Sequence, residues 1–212
     1  MMIKSIGKEV KLQIFNYKGY LNIMFLLLPI ILMLLTNKGN YYNYLISMVA
    51  IANIATIQYE VRQKNHILFL SVGMSRDEYI ISKFLGSAII IILGGILGFV
   101  INELLDKFII KLPMDIFIKD AILTLIILLL SISIYYLIYY TLGNKAGMVA
   151  YFIIFMVIIN TMFESKFSQY LKVFNGGQLL NNIQLLIFII LAIVIFMAIM
   201  YITVFFYRKK DF

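Results

Sequence analysis

From Ile183 to Tyr207 the chain reads IQLLIFIILAIVIFMAIMYITVFFY, twenty-five residues without one charged side chain. A helix needs about 17–25 residues to cross a hydrocarbon core of about 30 Å. This run fits that requirement, and a soluble domain has no comparable place for it. Working outward, five more runs qualify as spans: Tyr20–Thr36, Tyr41–Gln58, Phe84–Leu105, Ile116–Leu142 and Gly147–Phe163. The whole chain is 63% hydrophobic and 13% charged, against about 45–50% and about 25% in ordinary globular proteins. The reading is an all-α integral membrane protein in which residues 1–212 form a single transmembrane domain of six helices. The first run carries Pro29 and is expected to kink there, with its freed carbonyl facing a packed neighbour. The fourth exceeds a perpendicular span and is expected to tilt.

The chain has no cysteine, which removes disulfides and thiolate metal sites. Its net charge of +8 is distributed as membrane topology requires rather than as a nucleic-acid surface. Lys4, Lys8, Lys11 and Lys18 precede the first run, and Arg62, Lys64, Arg76 and Lys83 lie between the second and third. Lys145, Arg208, Lys209 and Lys210 complete this set, which holds twelve of the eighteen basic residues. The alternate connections hold the other six. The positive-inside rule therefore places both termini and the 59–83 loop in the cytoplasm, with Lys38 and Lys166 outside. Asn37–Tyr41 lacks a small-x-small cleavage pattern, so the first run is expected to be retained.

No run places a charge near its midpoint, where ion-coupled transporters need one. Glu103 is expected at the outer interface. Asn53, Thr56, Thr124, Ser131, Ser133 and Asn160 are the polar groups expected inside the bundle. Interhelical hydrogen bonds of about 0.6 kcal/mol each account for such groups, and Asn53 and Asn160 are also candidates for a substrate path. His66 has no second histidine to complete a zinc site. The only Gly-Lys pair, Gly7-Lys8, is followed by Glu9 and fails the phosphate-binding loop pattern. No catalytic or metal residue is assigned.

Three amphipathic segments stand outside the runs. Ile3, Ile6, Val10, Ile14 and Tyr17 recur at helical spacing against Lys4, Lys8 and Lys11. This fits an interfacial helix over residues 1–19 or a solvated basic leader. In the 59–83 loop a short apolar stretch, Ile67–Leu70, leads to Gly73, where a sharp turn is easy. Ser75 and Glu78 then form a capping box that starts the helix entering the third run. The apolar tip either meets a protein partner or folds back on its own bundle. On the other side Phe163, Phe167, Tyr170, Leu171 and Phe174 keep helical spacing up to Gly176-Gly177. Such a helix caps a cavity from outside as a gate, or lies on the surface as a connector.

Glu60, the string Leu70-Ser71-Val72-Gly73-Met74-Ser75-Arg76-Asp77-Glu78-Tyr79 and then Lys83-Phe84-Leu85 resemble the permease subunits of type-two ABC exporters. Their pattern here is E…L-S-L-P-x-S-R-x-E-(I/Y)…K-Y-L, from which Val72 and Gly73 depart. About 25 residues carry the motif, while the layout of interfacial helix, six spans, coupling helix and outer re-entrant helix covers nearly the whole chain. The resemblance implies a bacterial cytoplasmic membrane protein and a homo- or heterodimer of permeases. It also implies a separate ATPase holding ATP and Mg, contacted through Glu60, Leu70, Val72, Gly73, Met74, Ser75, Arg76 and Glu78. Relatives of this size export lipids, drugs, lantibiotics or amphipathic peptide toxins such as phenol-soluble modulins, which implies a hydrophobic or amphipathic substrate. The competing reading is a substrate-capture subunit of an energy-coupling-factor importer. Those subunits share an A-x-x-x-A contact in the first span, and Tyr20–Thr36 contains no alanine. An intramembrane enzyme would need paired carboxylates or histidines that the spans lack.

Overall fold

The computed structural model describes residues 41–62, 75–105, 114–163 and 181–209, with side chains for most of them. All regular structure among these is helical: α1 (Tyr41–Arg62), α2 (Arg76–Leu105), α3 (Met114–Leu142), α4 (Asn144–Phe163) and α5 (Asn182–Arg208). In lipid every backbone polar group must be satisfied within its own segment, which makes helices the obligatory form of such apolar runs. Segments of α2, α3, α4 and α5 are long and apolar enough to cross a membrane, and α1 contributes a shorter apolar stretch, Tyr42–Ala55. The expected interfacial helix with Lys4, Lys8 and Lys11, the first run, the Leu70–Met74 turn and the outer positions Phe167, Tyr170 and Phe174 lie outside the described residues.

The helix starts follow local chemistry. Ser75 Oγ accepts from the Glu78 backbone N–H at 3.2 Å, and the Ser75 N–H donates to Glu78 Oε2 at 3.2 Å. That reciprocal pair is the capping box expected from the sequence, and it starts α2 eight residues ahead of the apolar run. A second capping box, Asn181 with Gln184, opens α5. Only Gly143 separates α3 from α4. Its φ of 90° is a left-handed conformation that a side chain would resist, and the reversal lays α4 back against α3.

Helix α3 touches the other four. Its polar and aromatic positions face inward: Thr124, Ser131, Ser133, Tyr135, Tyr136, Tyr139 and Tyr140 are all buried. Some hydroxyls bond along their own helix, Ser133 to the Leu130 carbonyl at 2.7 Å and Thr203 to the Ile199 carbonyl at 2.8 Å. Outward faces are apolar, as on α5, where Leu186, Ile190, Ile193 and Met197 are exposed. Against water this would be untenable over so large an area; against lipid it is the ordinary surface.

Helices α1 and α2 cross over a glycine face. Gly94 and Gly98 stand one turn apart on α2. A Cβ on Gly94 would meet Val49 Cγ1 at 3.0 Å, and one on Gly98 would meet Tyr42 Cδ2 at 3.3 Å. Small residues at this spacing let backbones approach. Tyr42 is itself fixed, donating its hydroxyl to the Ala121 carbonyl at 3.2 Å and meeting Phe117 edge-on.

Three expectations need correction. Lys83, counted above as a loop cation, is wholly buried, with Nζ 5.4 Å from the Tyr79 ring centroid. The helix begins at Arg76, so Lys83 lies two turns inside it. Asp120 is buried in the early turns of α3, although the sequence reading assigned no buried charge to the spans. Asn160 is exposed on α4, not inside the bundle, because the α4 face that packs carries Ala150, Ile154, Ile158 and Thr161 instead.

Candidate functional site

Two places concentrate polar chemistry: a sealed centre at mid-bundle, and an exposed corner where α2 begins. At the centre Asn53 is buried, and its Oδ1 accepts from Ser87 Oγ and from Tyr136 OH, each at 3.0 Å. Ser87 and Tyr136 also contact each other through their hydroxyls. One carbonyl oxygen thus uses both of its acceptor sites to tie α1, α2 and α3 together. Phe84 packs edge-on to Tyr136 with centroids 5.1 Å apart, and to Phe196 of α5 at 5.7 Å. A second tie, Ser47 to Thr161 at 3.2 Å, joins α1 to α4.

Asn53 is therefore a structural pin in this conformation, and exposed Asn160 shares no polar site with it. An apolar cleft of about 280 Å³ lies where α1, α2 and α3 meet, lined by Tyr42, Gly95, Phe99, Ile118, Ala121 and Leu125 among others. Neither asparagine lines it.

The pin makes a sharp stability prediction. Asn53→Leu removes the shared acceptor. Ser87 and Tyr136 can still bond to each other, but one buried hydroxyl hydrogen is stranded, which should cost about 1–3 kcal/mol. Adding Ser87→Ala and Tyr136→Phe removes the stranded group and should recover much of the loss, since removing every partner of a buried bond is cheaper than removing one. Thermal unfolding of the single and triple variants in mild detergent tests this. A triple variant less stable than the single would show that the network is not the source of the cost.

At the corner, Ser75 and Glu78 form the cap described above, and Arg76 and Asp77 reach across to the last residue of α5. Arg76 Nη1 donates to the Arg208 carbonyl at 3.1 Å. Arg208 Nε lies 2.7 and 2.8 Å from the two Asp77 oxygens, and its Nη2 also meets Asp77. Just inside, Tyr79 stacks on Tyr207 at 6.2 Å, and Tyr140 of α3 stands edge-on to both. This corner directly follows residues 63–74, the connection from α1 to α2. Glu60 and Phe163 fall on the helical backbones of α1 and α4, with side chains outside the described set.

A family model described as an ABC-2 family transporter protein matches residues 6–208. The chain belongs to the ABC-2 transporter family. An ABC-2 chain is the multi-pass membrane component of an ABC transporter, a permease that works with an ABC ATPase. No curated protein and no solved structure matches this ABC-2 chain.

Sequence reasoning missed Asp77, Arg208, Tyr207 and the Gly94–Gly98 pair as working positions. The glycine spacing was a readable signal for close helix packing. The pairing of Asp77 with Arg208 spans 131 positions and had no local signature.

Proposed function

We propose that this ABC-2 permease is the translocation subunit of an ATP-driven exporter, coupled to its ATPase through the 59–83 loop. The observation that carries the reading is the capped start of α2. A loop that ends in a rigid, doubly bonded helix start can pass a push into a membrane span without absorbing it. In this reading Glu60, Leu70, Val72, Gly73, Met74, Ser75, Arg76 and Glu78 form the coupling region. ATP and Mg stay in the ATPase, as no phosphate-binding loop exists in this sequence. Two permeases, alike or different, enclose the path. Six spans cross a bacterial cytoplasmic membrane with both termini inside, Lys4, Lys8 and Lys11 face anionic headgroups, and Phe163, Phe167, Tyr170 and Phe174 close the outer exit. The substrate class that suits an apolar cleft is hydrophobic or amphipathic. No observation favours the importer reading.

Topology is the first test. Because the protein has no native cysteine, a single introduced one is the only target. Lys166→Cys should react with an impermeant maleimide in intact cells, and Lys64→Cys only after permeabilisation. The reverse pattern would invert the whole arrangement and remove the cytoplasmic loop from reach of an ATPase.

A further inference from the structure

We propose that the end of α5 is a second coupling element, clasped to the start of α2 by Arg76 and Asp77 so that the two helices move together when the ATPase acts. The proposal rests on the 59–83 loop being the ATPase contact. Its evidence is the reciprocity of the corner: one residue of α5, Arg208, both grips the Asp77 carboxylate and offers its carbonyl to the Arg76 guanidinium. Paired N–H groups on both carboxylate oxygens fix direction as well as distance, which a single contact cannot do. The Tyr79–Tyr207 stack one turn inward resists rotation about that contact, and Tyr140 wedges the pair against α3.

Helix α5 packs on α3 along its length, from Leu185 beside Leu123 to Tyr207 against Tyr140. Its buried side chains are Leu185, Ala192, Phe196, Thr203, Val204 and Tyr207, so half of its anchorage falls within the last two turns before Arg208. That end is the most densely anchored part of the helix, and a helix is stiff enough to follow what its end is attached to. Any displacement of residues 63–74 reaches Arg76 and Asp77 first, and through Arg208 it reaches the full length of α5. Asp77 and Arg208 are positioning residues here; they touch neither nucleotide nor cargo.

The test uses the permease–ATPase complex in nanodiscs of phosphatidylglycerol and phosphatidylethanolamine, with Asn182→Cys as the sole cysteine at the far end of α5. Its labelling rate by a maleimide is measured without nucleotide and after ATP with vanadate. In the parent the nucleotide should change the rate. In Arg208→Gln, and in Asp77→Asn should that variant fold better, the change should shrink at least about fivefold, the lower end of ordinary coupling factors, while the complex still hydrolyses ATP. The exchanged pair Asp77→Arg with Arg208→Asp should restore it, which a merely destabilised corner would not do. An unchanged response in Arg208→Gln and Asp77→Asn overturns the proposal, as does a parent whose Asn182→Cys rate ignores nucleotide. Met74→Asp separates the two levels of argument. If it abolishes the response while Arg208→Gln does not, the clasp fails and the coupling loop stands. If Met74→Asp has no effect on response or ATPase association, the coupling loop itself fails.

Discussion

Met74→Asp should weaken association with the ATPase about thirtyfold, corresponding to the ~2 kcal/mol typical of a central interface residue, while leaving insertion and folding of the permease intact. The position lies next to the Ser75 cap, in the segment whose apolar Leu70, Val72 and Met74 alternate with small residues. A carboxylate set into an apolar contact must be desolvated without a partner, so the loss should exceed that of a simple truncation. Arg76→Glu is a less selective probe. The Arg76 guanidinium donates to the carbonyl that ends α5, and a carboxylate there would face both that carbonyl, at the negative end of the helix dipole, and Asp77. It should therefore disturb the corner as well as any ATPase contact. Titration of purified ATPase against nanodisc-held permease measures the difference. Parent-like affinity for Met74→Asp would remove the 63–74 segment from the interface.

The other large effect belongs to the α1/α2 crossing. Replacing both Gly94 and Gly98 by leucine should lower the unfolding midpoint in detergent by roughly 4–24 °C, or prevent a monodisperse protein altogether. The reason is steric. The first added carbon on Gly94 meets a valine at 3.0 Å, and valine has little rotamer freedom with which to retreat. Beside Gly98, the Tyr42 ring is fixed by its hydroxyl bond and by Phe117. Overpacking costs about 1–3 kcal/mol per site, and for a chain of this size each kcal/mol moves the midpoint about 2–4 °C. Gly98→Ala should destabilise measurably but less than either leucine, because its single methyl would sit 3.3 Å from a ring edge that cannot easily retreat. A double leucine variant as stable as the parent would mean that the two helices do not meet along this glycine face.

What the sequence determined by itself is the membrane class, the helical form and the ends of the helices. Each of these is a local property. The length of an apolar run decides whether it can span, a run this long and continuously apolar satisfies its own backbone in lipid only as a helix, and a Ser75–Glu78 box declares its helix start within four residues. The apolar runs at 41, 116 and 183 accordingly lie within two residues of helices beginning at Tyr41, Met114 and Asn182. What only the tertiary structure decided is which face of each helix packs. Helices that are apolar nearly all round carry no periodic signal to say which side is inside. Asn53 and Asn160 look alike as single amides in apolar runs, yet Asn53 is bonded to two neighbouring helices while Asn160 is exposed. Lys83 reads as a loop cation until the cap at Ser75 carries the helix past it and Tyr79 covers its charge. Asp77 and Arg208 carry no mark in the sequence that pairs them, because their contact exists only once α2, α3 and α5 have packed through Tyr79, Tyr140 and Tyr207 and brought two distant helix ends to one corner.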